Sequence, residues 1–180
     1  MKEVYIFLTT GFEEIEALAT IDILRRGEVN VKSVSLEKDK QVSGSHGIPV
    51  IADVMFSGVD FSKAEMLILP GGTVRINEHE GLKKEIKAFA DKGNNVAAIC
   101  AAPMVLGGLG LLKGRKATAY PGFEQYLEGA DVDKKAAVIV DGNIITGRGP
   151  GLTMDFALKL VEILKGKAKS EEVAAQLLLR

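Results

Sequence analysis

Along this chain, short apolar runs alternate with longer stretches in which apolar residues return every three or four positions. Glu3–Leu8 (EVYIFL) and the β-branched Val29–Leu36 (VNVKSVSL) read as strands. Between them, Glu13–Arg26 puts Ile15, Leu18, Ala19 and Ile23 on or near one helix face, and Gly27 follows as a stop signal. Gln41–Asp53 holds Gly44, Gly47 and Pro49 and predicts a hairpin-like excursion. Met66–Leu69 (MLIL) and Val96–Ile99 are short and apolar throughout, as strands covered on both faces should be. Gly81–Lys92 is amphipathic and stops at Gly93. Ala101–Leu109 predicts a helix with Pro103 in its first turn, where proline is tolerated. Lys116–Ala119 and Ala136–Val140 are strand-like, and Asp141-Gly142 marks a tight hairpin into Asn143–Thr146. Thr153–Leu164 predicts a helix capped near Thr153 or Gly151. Ser170 predicts the cap of a final helix, with Glu171 and Glu172 in its first turn.

Strands alternating with helices imply an α/β fold, a mostly parallel sheet covered on both faces, here as one domain over 1–180. Ligands of such sheets bind outside the carboxyl ends of the strands. Three strand ends carry unusual residues: Thr9–Glu16, Pro70-Gly71-Gly72 and Cys100-Ala101-Ala102-Pro103.

Composition narrows the function classes. Hydrophobic residues make up 47% of the chain, enough to bury a core and exclude disorder. With 23 Lys+Arg against 24 Asp+Glu there is no basic excess for an extended nucleic-acid footprint. One Cys excludes a disulfide framework, and with two His it argues against structural zinc. The uncharged stretch from Gly93 to Leu112 is interrupted by Pro103, Gly107, Gly108 and Gly110. It reads as strand, turn and helix rather than a membrane span. No targeting segment is visible, so the expected location is cytoplasmic.

Cys100 lies in Ala98-Ile99-Cys100-Ala101-Ala102, a small-x-nucleophile-x-small pattern like that of a nucleophile elbow. The turn is so sharp that the residues two before and two after must be small. A helix start behind the sulfur predicts a lowered thiol pKa. The competing reading is a buried structural cysteine. Gly71 and Gly72 end a strand without Cβ atoms, so backbone N–H groups there can approach a ligand and stabilise an oxyanion. Glu13, Glu14 and Glu16 stand where a phosphate site would need positive potential. One of them suits proton handling, and at least two are expected to be dipole partners of the helix start. Arg148-Gly149-Pro150-Gly151 reads as the loop leading into a helix, and His46 and His79 as solvent-facing.

Gly-Phe-Glu-Glu-Ile-Glu, Leu-Pro-Gly-Gly, Ala-Ala-Ile-Cys-Ala-Ala-Pro and Arg-Gly-Pro-Gly occur in this order. The combination resembles the ThiJ/PfpI superfamily, most closely the branch of the parkinsonism-associated protein deglycase and its bacterial relatives, from about Val4 to Leu178. The resemblance implies a flavodoxin-like three-layer sandwich, a homodimer, and no metal or organic cofactor. It matches Cys100 to the family's reactive cysteine and Glu16 to the carboxyl group that hydrogen-bonds to it. Gly72 and Ala101 match the amides of the oxyanion pocket, with Gly71 beside them. It implies an aldehyde substrate: glyoxalase-type conversion of methylglyoxal or glyoxal to hydroxy acids, or deglycation. The alternative is a redox-responsive chaperone whose cysteine oxidises to sulfinic acid.

The chain departs from the family pattern in three places. Ala101 stands where peptidase-like members have His, which removes the base of a protease, and no downstream His-x-Glu supports an amidotransferase. Tyr120, before Pro121, stands where some relatives have His. Ser45-His46-Gly47 replaces Ser-Arg-Gly. If that loop crosses a dimer interface, His46 becomes a proton donor in the partner's pocket. Tyr120, Pro121, His46 and Arg148 are thus the remaining pocket candidates.

Overall fold

The computed structural model describes residues 2–179. Its strands are β1 (Glu3–Leu8), β2 (Val31–Ser35), β3 (Gln41–Ser43), β4 (Pro49–Ile51), β5 (Val54–Met55), β6 (Ala64–Leu69), β7 (Asn95–Ile99), β8 (Lys116–Ala117), β9 (Asp131–Val132), β10 (Val138–Asp141) and β11 (Ile144–Gly147). The helices are α1 (Thr20–Arg26), α2 (Glu80–Asp91), α3 (Pro103–Gly108), α4 (Thr153–Lys165) and α5 (Lys167–Gln176). Seven strands form one sheet in the order β10-β11-β7-β6-β1-β2-β5, parallel except for β10 against β11. The expected excursion is the β3–β4 hairpin, and β8 pairs with β9 apart from the main sheet.

The pleat of β1 divides the core in two. Val4, Ile6 and Leu8 point to the face covered by α1, α4 and α5, where they join Leu24, Phe156, Leu160 and Val173. Tyr5 and Phe7 point to the other face, with Leu82, Ile86 and Phe89 of α2 and Val105 and Leu106 of α3. Each such buried side chain contributes roughly 1.5–3 kcal/mol. The three-layer arrangement agrees with the sequence expectation. Among the described residues, no helix is long and apolar enough to cross a membrane.

Three local expectations are corrected. The segment before α1 is a π turn, Ile15–Ala19. Its wider winding turns the buried face, so Glu14, Glu16 and Ala17 point inward while Ile15 and Leu18 are exposed. Ser170 is not a cap: α5 starts at Lys167, and the Ser170 hydroxyl donates inside the helix pair to the Leu158 carbonyl at 2.8 Å. Glu171 and Glu172 therefore fall beyond the first turn. His79 caps α2, its Nδ1 accepting from the Leu82 N–H at 3.0 Å, with its ring edge-on to Phe56.

Candidate functional site

Parallel pairing of β7, β6 and β1 brings their carboxyl ends to one edge of the sheet. The three unusual strand ends of the sequence therefore meet there. Cys100 follows β7 with φ of 101°, a left-handed conformation that costs a non-glycine residue about 1–3 kcal/mol. Ala98 and Ala102, the small residues flanking the elbow, are fully buried. Cys100 itself is 7% exposed and lines a cavity of about 320 Å³ together with Glu13, His46, Gly72, Ala101 and Tyr120.

Glu16 lies beneath the sulfur with no exposed surface. The π turn aims it inward, and its own N–H is capped by Glu13 Oε2 at 2.9 Å. The Gly71 N–H donates to Glu16 Oε2 at 2.7 Å. This amide is therefore engaged inside the protein rather than free for a ligand as expected, whereas Gly72 and Ala101 are among the residues that line the cavity. Neither glycine can be replaced freely. A Cβ on Gly71 would lie 2.8 Å from both Cys100 Cβ and Glu16 Oε2, and one on Gly72, at φ of 95°, would lie 2.3 Å from the Glu13 nitrogen.

Glu16 Oε1 is buried without a hydrogen-bond partner, and the Cys100 thiol lies close enough to the carboxyl to favour its charged form. Burial raises the Glu16 pKa to about 7, against the lowering effects of Cys100 and the Gly71 N–H. Burial first, and the adjacent Glu16 second, push the Cys100 thiol up as well, although the Ala101 N–H favours the thiolate. This corrects the expectation of a lowered thiol pKa: the short α3 behind the sulfur does not offset desolvation and a neighbouring carboxylate. The pair therefore retains one proton above neutrality. On Glu16, that proton lets the carboxyl donate to a thiolate; on sulfur, it leaves Glu16 as a base.

Of the other two glutamates, only one has the expected helix-start role. Glu13 alone behaves as a helix-start cap. Glu14 is buried and clips the β3–β4 connection to the helix start. Its Oε1 accepts from the His46 N–H at 2.7 Å, and its Oε2 pairs with His46 Nδ1 at 2.9 Å and accepts from the Ser45 hydroxyl at 3.1 Å. Burial alone would raise the Glu14 pKa, but these hydrogen bonds hold it at about 2, and the same pairing raises His46. His46 is solvent-facing, yet it lines the cavity of its own subunit. Glu13, Glu14 and His46 place ligand atoms within 4.8 Å of one another and are the set that could take a cation. They are paired among themselves instead.

Of the remaining candidates, Tyr120 reaches the Cys100 cavity, whereas Pro121 and Arg148 line an adjoining groove with Gly149 and Pro150. Arg148 Nη1 donates to the Lys134 carbonyl at 3.4 Å. Sequence reading passed over Thr73, Val74, Phe123 and Pro150, which complete the cavity. Thr73 and Val74 directly follow the Gly-Gly turn, the one signal available for them.

The model of the DJ-1/PfpI family matches residues 2–163. This chain belongs to the DJ-1/PfpI family. Protein DJ-1 homolog B of Arabidopsis thaliana is 40% identical over 99% of this chain, and the chain spans 42% of that protein's length. A deglycase of Pyrococcus horikoshii is 34% identical over 89% of this chain and 98% of its own length. The crystal structure of Drosophila melanogaster DJ-1beta superposes with a TM-score of 0.93 at 34% identity, covering 98% of this chain and 97% of that one. The DJ-1 fold is thus shared across the whole sheet and both helical layers. Within this DJ-1/PfpI chain, Cys100 faces the cavity and Glu16 lies fully buried next to it.

Proposed function

We propose that this protein is an enzyme converting 2-oxoaldehydes such as methylglyoxal to 2-hydroxy acids without a cofactor, acting as a homodimer. The Cys100 sulfur adds to the aldehyde carbon, and its proton passes by way of Glu16 to the carbonyl oxygen, whose developing negative charge faces the Gly72 and Ala101 amides; this gives a hemithioacetal and leaves Glu16 as a carboxylate. Glu16 then moves a proton from the aldehyde carbon to the ketone carbon through an enediol. This oxidises the first carbon to a thioester as it reduces the second to an alcohol. Water cleaves the thioester, releasing the hydroxy acid and restoring the thiol. One water is added overall, and no external oxidant enters.

The observation that carries this reading is a fully buried carboxyl with a pKa of about 7, anchored by the Gly71 N–H and coupled to a thiol at a cavity floor. A general base works best with a pKa near the operating pH. The relatives named deglycases agree with an aldehyde-directed role.

The test is lactate formation from methylglyoxal. Cys100→Ser and Glu16→Gln are each expected to lose at least about a hundredfold in kcat/KM. Lactate formed by either variant at the parent rate overturns the mechanism. If the parent makes none but its Cys100 readily takes up oxygen from dilute peroxide, the redox alternative takes its place.

A further inference from the structure

The cavity above Cys100 has two kinds of lining: Glu13, Thr73 and His46 are polar, and Val74, Tyr120, Phe123 and Pro150 are apolar. The apolar lining is assembled from the connections after β6, β8 and β11. The Tyr120 N–H donates to the Cys100 carbonyl at 2.6 Å, which ties the aromatic segment to the nucleophile's own peptide. The Phe123 N–H donates to the Tyr120 carbonyl at 2.9 Å, and the Phe123 ring packs on Tyr126 at 5.9 Å between centroids. A Cβ on Gly149 would lie 3.1 Å from Tyr120 Cδ2, so the glycine there leaves room for the ring. Val74 and Tyr120 line the cavity and remain 47% and 45% exposed.

We propose that Tyr120, Phe123, Val74 and Pro150 form a subsite for an uncharged apolar group on the substrate. Aryl- and larger alkyl-substituted 2-oxoaldehydes are then preferred over glyoxal and methylglyoxal. The proposal deepens the function given above and rests on Cys100 as the nucleophile toward that substrate class. The cavity volume of about 320 Å³ is far more than a three-carbon aldehyde fills. Covering Val74 and the Tyr120 ring with a phenyl group removes apolar surface from water, whereas a methyl group reaches little of it. Charge agrees. The polar lining includes Glu13 and His46, whose Nδ1 is paired with Glu14 at 2.9 Å, and no Lys or Arg side chain lines the cavity, so it offers an anionic substituent no free cationic partner.

The experiment does not need turnover. Bromoacetone and phenacyl bromide carry the methyl and phenyl groups of the two aldehydes. Each alkylates a thiol by forming an S–C bond as the C–Br bond breaks, releasing bromide and the thiol proton. Labelling rates at Cys100, followed by intact mass, are divided by those of glutathione, with Cys100→Ser as the unlabelled control. Phenacyl bromide is expected to gain about tenfold or more over bromoacetone relative to glutathione. Tyr120→Ala is expected to bring that ratio down to the glutathione value, and Tyr120→Phe to keep it. A parent ratio equal to that of glutathione, or an unchanged ratio in Tyr120→Ala, overturns the subsite. So does bromoacetate labelling ahead of bromoacetone after the same correction. Turnover of phenylglyoxal and methylglyoxal by the same preparations separates the two proposals. The labelling ratio without turnover of either aldehyde keeps the subsite and sinks the enzymatic reading; turnover without the ratio does the reverse.

Discussion

Glu16 holds a carboxyl where water cannot solvate its charge, and its pKa rises from 4.5 to about 7. The folded protein therefore keeps a proton that the unfolded chain releases between those values. Stability must fall as pH climbs through that interval and level off above it, with an upper bound of about 3 kcal/mol. Urea titrations are expected to show this decline in the parent and not in Glu16→Gln, which has no proton to release; matching pH slopes would mean that Glu16 titrates like an exposed acid. Glu14 has the opposite sign. Held at about 2, it supports the fold above pH 4.5, and that support is lost as pH drops toward 2. For the proposed reaction, kcat/KM should rise as pH passes through about 7, where Glu16 becomes able to accept a proton. The turn at Cys100 was legible in the sequence because an elbow restricts its neighbours to small residues. Glu16 was legible only through family resemblance, since three nearby glutamates look alike until a turn decides which one points inward. The roles of Glu14 and the thiol pKa depend on contacts 32 residues away and on burial, neither of which the local sequence encodes.

At the scale of elements, α3 gives a test in which two effects oppose each other. Alanine normally improves on glycine in a helix by about 1 kcal/mol. At Gly107 the added Cβ would lie 2.0 Å from the Tyr126 carbonyl oxygen, whereas at Gly108 it meets nothing within 4 Å. Gly107→Ala is therefore expected to destabilise by about 3 kcal/mol or more, and Gly108→Ala to be neutral or stabilising by up to about 1 kcal/mol. Denaturation midpoints of the two variants check this, and equal values would contradict the close packing of Tyr126 on α3. The strands and long helices were readable because their burial follows a fixed period. The π turn was not, because a 3.6-residue period assigns Ile15 and Leu18 to the core face. Ser170 misled for a related reason: a hydroxyl that bonds a distant carbonyl looks in sequence like one that caps its own helix.

Over the whole molecule, the turn before α1 carries the exposed Ile15 and Leu18, and the β3–β4 hairpin carries the exposed Ile48 and Ile51. Hydrogen bonds from Ser45 and His46 to Glu14 hold the two segments together. This apolar face supports the proposed homodimer. Sedimentation of the parent is expected at twice the chain mass, and of Ile48→Glu/Ile51→Glu at the monomer mass; a monomeric parent refutes the dimer. The sheet and the edge that holds the site could be anticipated, since parallel strands place all their carboxyl ends together. Of the apolar cavity lining, Tyr120 was anticipated only through family resemblance, and Val74, Phe123 and Pro150 were not, because the lining is gathered from three connections far apart in the chain. The left-handed peptide at Cys100 has one more consequence. Among thiol-free variants, the usual ranking of small residues should invert: with φ at 101°, Cys100→Gly relaxes where Cys100→Ala must bear a Cβ clash, so the glycine protein should survive heating to the higher temperature.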